Sequence, residues 1–221
     1  MRRLLSVITV SAAAACTFSL NANAVAKTPI RTYTEQASLS FTGIGSARGF
    51  YSKEWGGEKA ALSPRLALAG NLHTSYRLQG VVHNASSLFD IVGDRTYSRK
   101  NNGSWVTGTL TAKALASDAR ALNPETSLAQ FDKLPGVHRV SPGHYSVTGP
   151  FAKISPFVRH EFGLAANAFA GSGTRTLTVT ATLDSGGRPV RFTASGRSAN
   201  NVFTATETFS HYNKPVTITA P

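Results

Sequence analysis

The sequence predicts an α+β domain built on an antiparallel β-sheet, with about three helices packed against it. Residues 174–221 contain runs in which apolar and polar residues alternate, and a period of two is typical of strands with one buried face. Short breaks rich in Gly, Asn and Pro separate the runs, which favours antiparallel reversals. In the middle of the chain, Ala- and Leu-containing segments with helix signals interrupt the strands.

The last third of the chain has the clearest strand pattern. Residues 184–187 and 198–201 are predicted turns, because they are rich in residues that tolerate positive φ. Lys214-Pro215 predicts the start of a last short strand at the edge of the sheet. Proline has no N–H to donate to a neighbouring strand, so it fits the first residue of an edge strand. The apolar positions that the alternation assigns to the buried face are Leu177, Val179, Ala181, Leu183, Val190, Phe192, Ala194, Phe203, Ala205 and Phe209.

Shorter alternating runs upstream predict further strands, and Asn102-Gly103 predicts a tight hairpin between residues 95–99 and Trp105-Val106. Ser141-Pro142-Gly143 predicts a second hairpin. Residues 25–35 are polar and are interpreted as a linker. The other predicted strands are residues 38–43, 66–70, 72–82, 88–92, 137–140 and 144–148.

Three segments have the features of helices. Residues 111–122 contain no Gly or Pro. Asn123-Pro124-Glu125 combines an N-cap, a proline suited to the first turn and an acidic residue, so a second helix is predicted to run from there to about Leu134. Ser155-Pro156 predicts the start of a third helix that reaches about Ala170.

The C-terminal segments resemble the end of LolA-like lipoproteins, in particular the LppX/LprG-type envelope lipoproteins of actinobacteria. Residues 187–191 read G-x-P-V-R, and residues 209–221 read F-S-x-[FY]-[NG]-K-P-V-T-I-x-A-P. Elsewhere the resemblance is one of pattern. It implies a strongly curved antiparallel sheet, a half-barrel, with helices covering its concave face. It also implies that the space between sheet and helices holds lipid or lipid-linked chains.

The N-terminus has the pattern of an export signal, with basic residues at Arg2 and Arg3 followed by an apolar segment. Ala22-Asn23-Ala24 suits cleavage after residue 24, which gives a signal peptide over 1–24. Alternatively, residues 13–16 resemble a lipobox, which gives a lipoprotein signal over 1–15 and lipid attachment at Cys16. Both remain open. We expect a lipid-binding domain over 36–221, secreted or anchored to the outer face of the cytoplasmic membrane.

The chain is basic, with a formal net charge of +12 and no dense basic run. An exported protein of this charge is attracted to anionic membranes or wall polymers. The scattered charge argues against nucleic acid as a partner. Cys16 is the one cysteine, so the mature domain has no internal disulfide.

The sequence lacks the motifs of common hydrolases and metalloenzymes, and we expect no enzyme activity, cofactor or metal. It contains no G-x-S-x-G, H-E-x-x-H or pair of cysteines. His138 and His144 are one pair of histidines that a hairpin would allow to meet, although exposed histidines explain them equally. The carboxylates at Asp90, Asp94, Asp132, Glu161 and Asp184 look scattered, with no two placed for paired acid–base work.

Two functions remain open. One is a monomeric, non-enzymatic carrier that binds lipid or an acylated ligand in an apolar cavity. The other is a cell-surface protein with a filled core that binds anionic wall polymer or membrane through its basic exterior. The residues expected to line the cavity, or in the alternative to fill the core, are Leu68, Leu78, Phe89, Ile91, Phe131, Phe157, Phe162, Leu177, Val179 and Phe192.

Overall fold

The computed structural model describes residues 29–43, 50–61, 66–78, 81–162, 176–197 and 201–221. The proposed signal segment and Cys16 lie outside the described residues. The strands are β1 (Thr32–Gly43), β2 (Phe50–Ala61), β3 (Ala67–Leu78), β4 (Val81–Val92), β5 (Arg95–Lys100), β6 (Val106–Thr109), β7 (His138–Ser141), β8 (His144–Pro150), β9 (Thr176–Leu183), β10 (Pro189–Arg197) and β11 (Asn201–Ser210). The helices are α1 (Ala112–Ala121), α2 (Pro124–Asp132) and α3 (Phe151–Phe162).

All these strands belong to one antiparallel sheet whose order is β6-β5-β4-β3-β2-β1-β11-β10-β9-β8-β7. The sheet therefore consists of two meanders, one running outward from β1 and the other from β11, joined where β1 pairs with β11. Helices α1 and α2 lie between β6 and β7 in the chain, and α3 follows β8. The α+β prediction of an open antiparallel sheet with helices on one face is confirmed.

Apolar and polar residues alternate along the strands, and the helices cover the apolar face. On β9, Leu177, Val179 and Ala181 are fully buried. The threonines between them lie on the opposite face, where the Thr178 hydroxyl contacts that of Thr148 on β8 at 2.8 Å. The strands of the C-terminal meander thus have one apolar and one hydroxyl-rich face, as their sequence predicts.

One predicted hairpin turn differs from its sequence prediction and another agrees with it. Strands β5 and β6 pair as predicted, but a longer loop connects them, and its positive φ of 50° is at Asn101 rather than at Asn102-Gly103. Gly143 has φ 73° in the β7–β8 hairpin. A Cβ at that position would lie 2.9 Å from the carbonyl oxygen of Leu183. Gly143 is therefore required both by its backbone conformation and by its close approach to β9.

The predicted boundaries of α3 were wrong. The helix begins at Phe151, immediately after β8, and Pro156 lies inside it. A proline there removes one backbone hydrogen bond. Burial of Ile154, Phe157 and Val158 against the sheet offsets that loss. The predicted continuation over 163–170 lies outside the described residues. In the part of the chain that the structure describes, we find no helix with the length and apolar character needed to cross a bilayer.

The N-terminal half contains more strand than predicted. Residues 32–35, which were assigned to a linker, open β1, and the side chain of Tyr33 is completely buried. Strand β2 was not predicted. Its register against both neighbours slips near Gly56, which indicates a β-bulge that interrupts the alternation. Residues 66–70 and 72–82 were predicted as two strands, but residues 67–78 form a single strand, β3.

The predicted strand after Lys214 is absent, because residues 211–221 have no strand structure. Asn213 instead ties this tail to the start of β1. Its side chain accepts a hydrogen bond from the Arg31 N–H at 2.7 Å and donates one to the Pro29 carbonyl at 3.2 Å. Val190 was predicted to lie on the buried face, but it is only half-buried. A register shift at the start of β10 buries Pro189 instead.

Asn123 caps α2 as predicted. Its side-chain oxygen accepts a hydrogen bond from the Glu125 N–H at 2.9 Å, and Pro124 opens the helix. We expect Asn123→Ala to lower the free energy of unfolding by about 1 kcal/mol, because the first turn loses a partner for an N–H. Urea unfolding measures the change. Asn123→Asp retains the acceptor and is the matched control. Equal losses in both variants would contradict the capping role.

Candidate functional site

Helices α2 and α3 pack on the sheet through a layer of aromatic side chains. Phe131 of α2, Phe157 of α3 and Phe192 of β10 form a triangle with ring centroids 5.6 to 6.0 Å apart. Phe209 of β11 lies 6.1 Å from Phe192, and Tyr33 of β1 lies 5.8 Å from Phe209. The aromatic layer therefore runs from the helices across the joint between the two meanders.

Most residues that the sequence assigned to the cavity or core lie in this interior. Phe89, Ile91 and Phe162 are partly buried and pack against it. The side chain of Leu78 lies outside the described part of the chain. The other six are buried members of one apolar cluster: Leu68, Phe131, Phe157, Leu177, Val179 and Phe192. The strand phases behind the prediction were therefore correct, and the role of these residues as a ligand lining remains a prediction.

The helices do not cover the sheet evenly. Within the described residues, α2 has its main sheet contacts with β10, and α3 has its main contacts with β8 and β9. The apolar face continues beyond them onto β3 and β4, where Leu68 and Ile91 lie directly opposite each other. Phe89 and Ile91 there remain partly exposed while packing against the cluster. The apolar interior thus extends past the main helix contacts toward β4.

Three glutamates meet in the same interior. Glu35 lies on β1 opposite Phe209, and Glu207 lies on β11 opposite Ala37. The two carboxyl groups therefore occupy diagonal positions on the inward face. Glu161 of α3 reaches them from the helix side, and its side chain is hydrogen-bonded to Glu207 and to Ser127 of α2. We call Glu35, Glu161 and Glu207 the carboxyl cluster.

The carboxyl cluster was not predicted, because Glu161 looked scattered in the sequence and neither Glu35 nor Glu207 was considered. Its members come from distant parts of the chain, so no local motif contains them. A signal was nevertheless present in the strand pattern. Glu207 stands between Ala205 and Phe209, at an inward position of an alternating run, where a charged residue breaks the apolar face.

Burial governs the protonation of the cluster. It raises the pKa of Glu207 well above the ordinary 4.5, because a carboxylate loses its hydration there. The neighbouring charges of Glu161 and Glu35 raise it further. Burial also raises the pKa of Glu161, and hydrogen bonds from Glu207 and Ser127 partly oppose this. The raised pKa favours the protonated form of Glu207, whose O–H donates to a neighbouring carboxylate.

Two oxygen atoms of the cluster have no hydrogen-bond partner. They are Oε1 of Glu161 and Oε2 of Glu207, both inaccessible to solvent. Glu207 as a whole is only 6% exposed. An unsatisfied buried polar group lowers the free energy of unfolding by about 1–3 kcal/mol. Two such oxygen atoms in one cluster therefore destabilise the folded protein. Nε2 of His160 is likewise buried without a partner.

The hairpin does not place His138 and His144 opposite each other. In the β7–β8 hairpin His138 lies opposite Ser146, while His144 lies opposite Ser141. Nδ1 of His138 is 3.2 Å from the Gly136 carbonyl oxygen. Among the side chains that the structure describes, no group of three or more His, Cys, Asp or Glu residues has the arrangement of a metal site.

Comparison with known proteins gives similarity only at the level of structure. No family model and no curated protein matches the sequence. One similar structure is LprF from Mycobacterium bovis, with 15% identity and a TM-score of 0.40 over 87% of this chain and 90% of that chain. Another is the lipoprotein LppX from Mycobacterium tuberculosis, with 18% identity and a TM-score of 0.40 over 86% and 90%.

A third similar structure is a beta-barrel-like protein of a domain of unknown function, DUF1849, from Brucella abortus. Its identity is 8% and its TM-score is 0.26, over 82% of this chain and 97% of that chain. One of these structures is thus a lipoprotein of the type that residues 187–191 and 209–221 resemble. At these TM-scores the similarity assigns neither a ligand nor a role to the chain.

The raised pKa of Glu207 predicts that stability falls as pH rises above about 4.5. In that range an unfolded chain releases the proton of Glu207 while the folded protein retains it, so the free energy of unfolding decreases by up to about 1.4 kcal/mol per pH unit. The decrease ends once pH exceeds the folded-state pKa. Urea unfolding at a series of pH values, compared between the wild type and Glu207→Gln, isolates this contribution.

Other groups near Glu207 also titrate, so the comparison needs a matched control. They are Glu35 and Glu161 in the cluster, together with the phenol of Tyr212, whose pKa is raised by its own burial. Asp94→Asn, at an exposed position between β4 and β5, removes a carboxylate without touching the cluster. We expect its pH profile to match the wild type. A Glu207→Gln profile parallel to the wild type would show that folding does not raise the pKa of Glu207.

Proposed function

We propose that this chain is a non-enzymatic carrier that binds lipid or an acylated ligand in the apolar interior between sheet and helices. The observation that carries the proposal is that, among the described residues, the helices have their main sheet contacts with β8, β9 and β10. The apolar face extends beyond the main helix contacts, and Phe89, Ile91 and Phe162 border it while only partly buried. An apolar chain laid along this border would bury surface that the described side chains leave exposed.

The physics of such binding requires no dedicated motif. Each CH₂ group removed from water contributes about 0.8 kcal/mol, and a long acyl chain supplies many of them. The rings of Phe131, Phe157 and Phe192 are fully buried, so such a chain would contact the partly buried Phe89, Ile91 and Phe162 at the border of the interior. A lipid ligand is consistent with a sequence that contains none of the hydrolase or metalloenzyme motifs considered above.

The proposed location is extracytoplasmic. The N-terminal signal pattern supports it, with either release after Ala24 or lipid attachment at Cys16. The net charge of +12 would draw such a monomeric protein toward anionic membrane or wall surfaces. A carrier in this position has access to envelope lipids without crossing the membrane itself.

A second function is favoured by the β5–β6 region. Arg95 and Lys100 are exposed on β5, and the guanidinium of Arg99 lies 5.0 Å from the ring centroid of Trp105. This arrangement presents cationic groups beside an aromatic ring, which suits an anionic polymer or headgroup surface. The alternative is therefore a surface-binding protein whose interior is filled by its own side chains.

A fluorescent fatty-acid probe distinguishes the two functions. A carrier should bind the probe with an affinity that changes little between about 0.05 and 0.5 M salt, because apolar burial is not screened. We expect Phe162→Ser to weaken binding roughly tenfold, since it removes apolar contact at the border of the interior. Binding is measured by fluorescence titration after circular dichroism has established that the variant is folded.

The matched control is Val140→Ser, which also replaces an apolar residue but at a position 65% exposed on β7. It should bind the probe as the wild type does. Probe binding that disappears at high salt, or that ignores the Phe162 substitution, would favour the surface-binding alternative. Association with anionic vesicles that falls steeply with salt would support that alternative directly.

A further inference from the structure

We propose that Glu161 and Glu207 form the polar end of the ligand site and accept hydrogen bonds from a hydroxyl or amine group of the bound lipid. This inference rests on the proposed carrier function and adds to it the chemistry of the group that is recognised. The ligand would be amphiphilic, with its apolar chain along the aromatic layer and its hydrogen-bond donor at the carboxyl cluster.

The carboxyl cluster lies within the aromatic layer. Glu207 of β11 is the direct cross-strand neighbour of Phe192 on β10, and directly opposed side chains share one face of a sheet. On α3, Glu161 stands one turn after Phe157 and immediately before the partly buried Phe162. A ligand chain that enters the interior beside Phe162 would therefore bring a terminal polar group close to the cluster.

The hydrogen bonds within the cluster leave acceptors unused. Since Oε1 of Glu161 has no partner, its hydrogen bonds to Glu207 and Ser127 are made through Oε2. By the same reasoning, Glu207 uses Oε1 and leaves Oε2 without a partner. Both unused oxygens are shielded from solvent, and Glu207 is more than nine-tenths buried. The two acceptors come from opposite walls of the interior, one from α3 and one from β11.

The unused atoms select the kind of ligand group. Unprotonated carboxyl oxygens accept hydrogen bonds and donate none, so a hydroxyl or an amine is complementary to them. An ether or ester oxygen at the same place would bring one more acceptor and leave all of them unsatisfied. A site that leaves buried polar atoms unpaired with the wrong ligand discriminates strongly against it. The cluster would therefore favour donor-bearing lipids over those that end in an ester or ether.

Matched probes with the same chain test this selectivity. Hexadecanol, hexadecylamine and hexadecyl methyl ether are compared by their ability to displace the fluorescent fatty-acid probe from the full-length protein. We expect the alcohol and the amine to bind about tenfold more tightly than the ether in the wild type, because each gains one hydrogen bond to a buried acceptor. Tight binding of both the alcohol and the amine would identify a hydrogen-bond donor as the recognised group. The order of their two affinities shows whether the site prefers a neutral donor or a cation.

The double substitution Glu161→Met with Glu207→Met removes the acceptors and keeps side chains of similar length. We expect it to retain probe binding and to bind the three competitors equally. If it fails to fold, Glu161→Gln serves instead. Its carbonyl oxygen keeps the hydrogen bonds from Glu207 and Ser127, and its amide N–H takes the place of the unused Oε1 and donates to the ether, so the preference for the alcohol should shrink.

The outcomes separate this inference from the function on which it rests. Equal displacement by all three competitors in the wild type would overturn the role of the carboxyl cluster and leave the carrier function intact. A preference that persists in the double variant, or is unchanged in Glu161→Gln, would also overturn it. No binding of the fluorescent probe, in a folded wild type, would overturn the carrier function itself.

Discussion

The pairing of β1 with β11 is the constraint on which the rest of the structure depends. It joins the two meanders into one sheet, with ten residue pairs from Thr34 opposite Ser210 to Gly43 opposite Asn201. Asn213 extends the joint by hydrogen bonds to residues at the start of β1. Because β1 and β11 lie at opposite ends of the described chain, their pairing pays a large loop-closure entropy, which is characteristic of slow β-sheet folding.

The pairing of β1 with β11 brings together both the aromatic and the acidic side chains of the interior. It places Tyr33 beside Phe209 in the aromatic layer, and it brings Glu35 within interaction distance of Glu207. Without the joint, each meander would have an apolar face with an open edge, and the two glutamates would be separate residues of ordinary chemistry. Burial opposes the charge of these carboxyl groups, and apolar residues of similar volume are often at least as stabilising in such positions.

The sequence predicted those parts of the fold that local chemistry determines. The alternation in β9, the Asn123 cap and the hairpin around Gly143 each depend on a few adjacent residues. Strand β2 and the start of β1 were missed because a bulge and polar side chains obscure the period of two. The carboxyl cluster was missed for a different reason. Its existence depends on the β1–β11 register and on the position of α3, which no local pattern encodes.

The most direct test of the carrier account is native mass spectrometry of the protein purified from its own envelope, before and after extraction with organic solvent. The account predicts an added mass in the native spectrum that disappears on extraction and is recovered in the organic phase as a lipid. A native mass equal to that of the polypeptide with its covalent modifications alone, from protein that also fails to bind a fatty-acid probe, would contradict it. That result would indicate an interior filled by its own side chains.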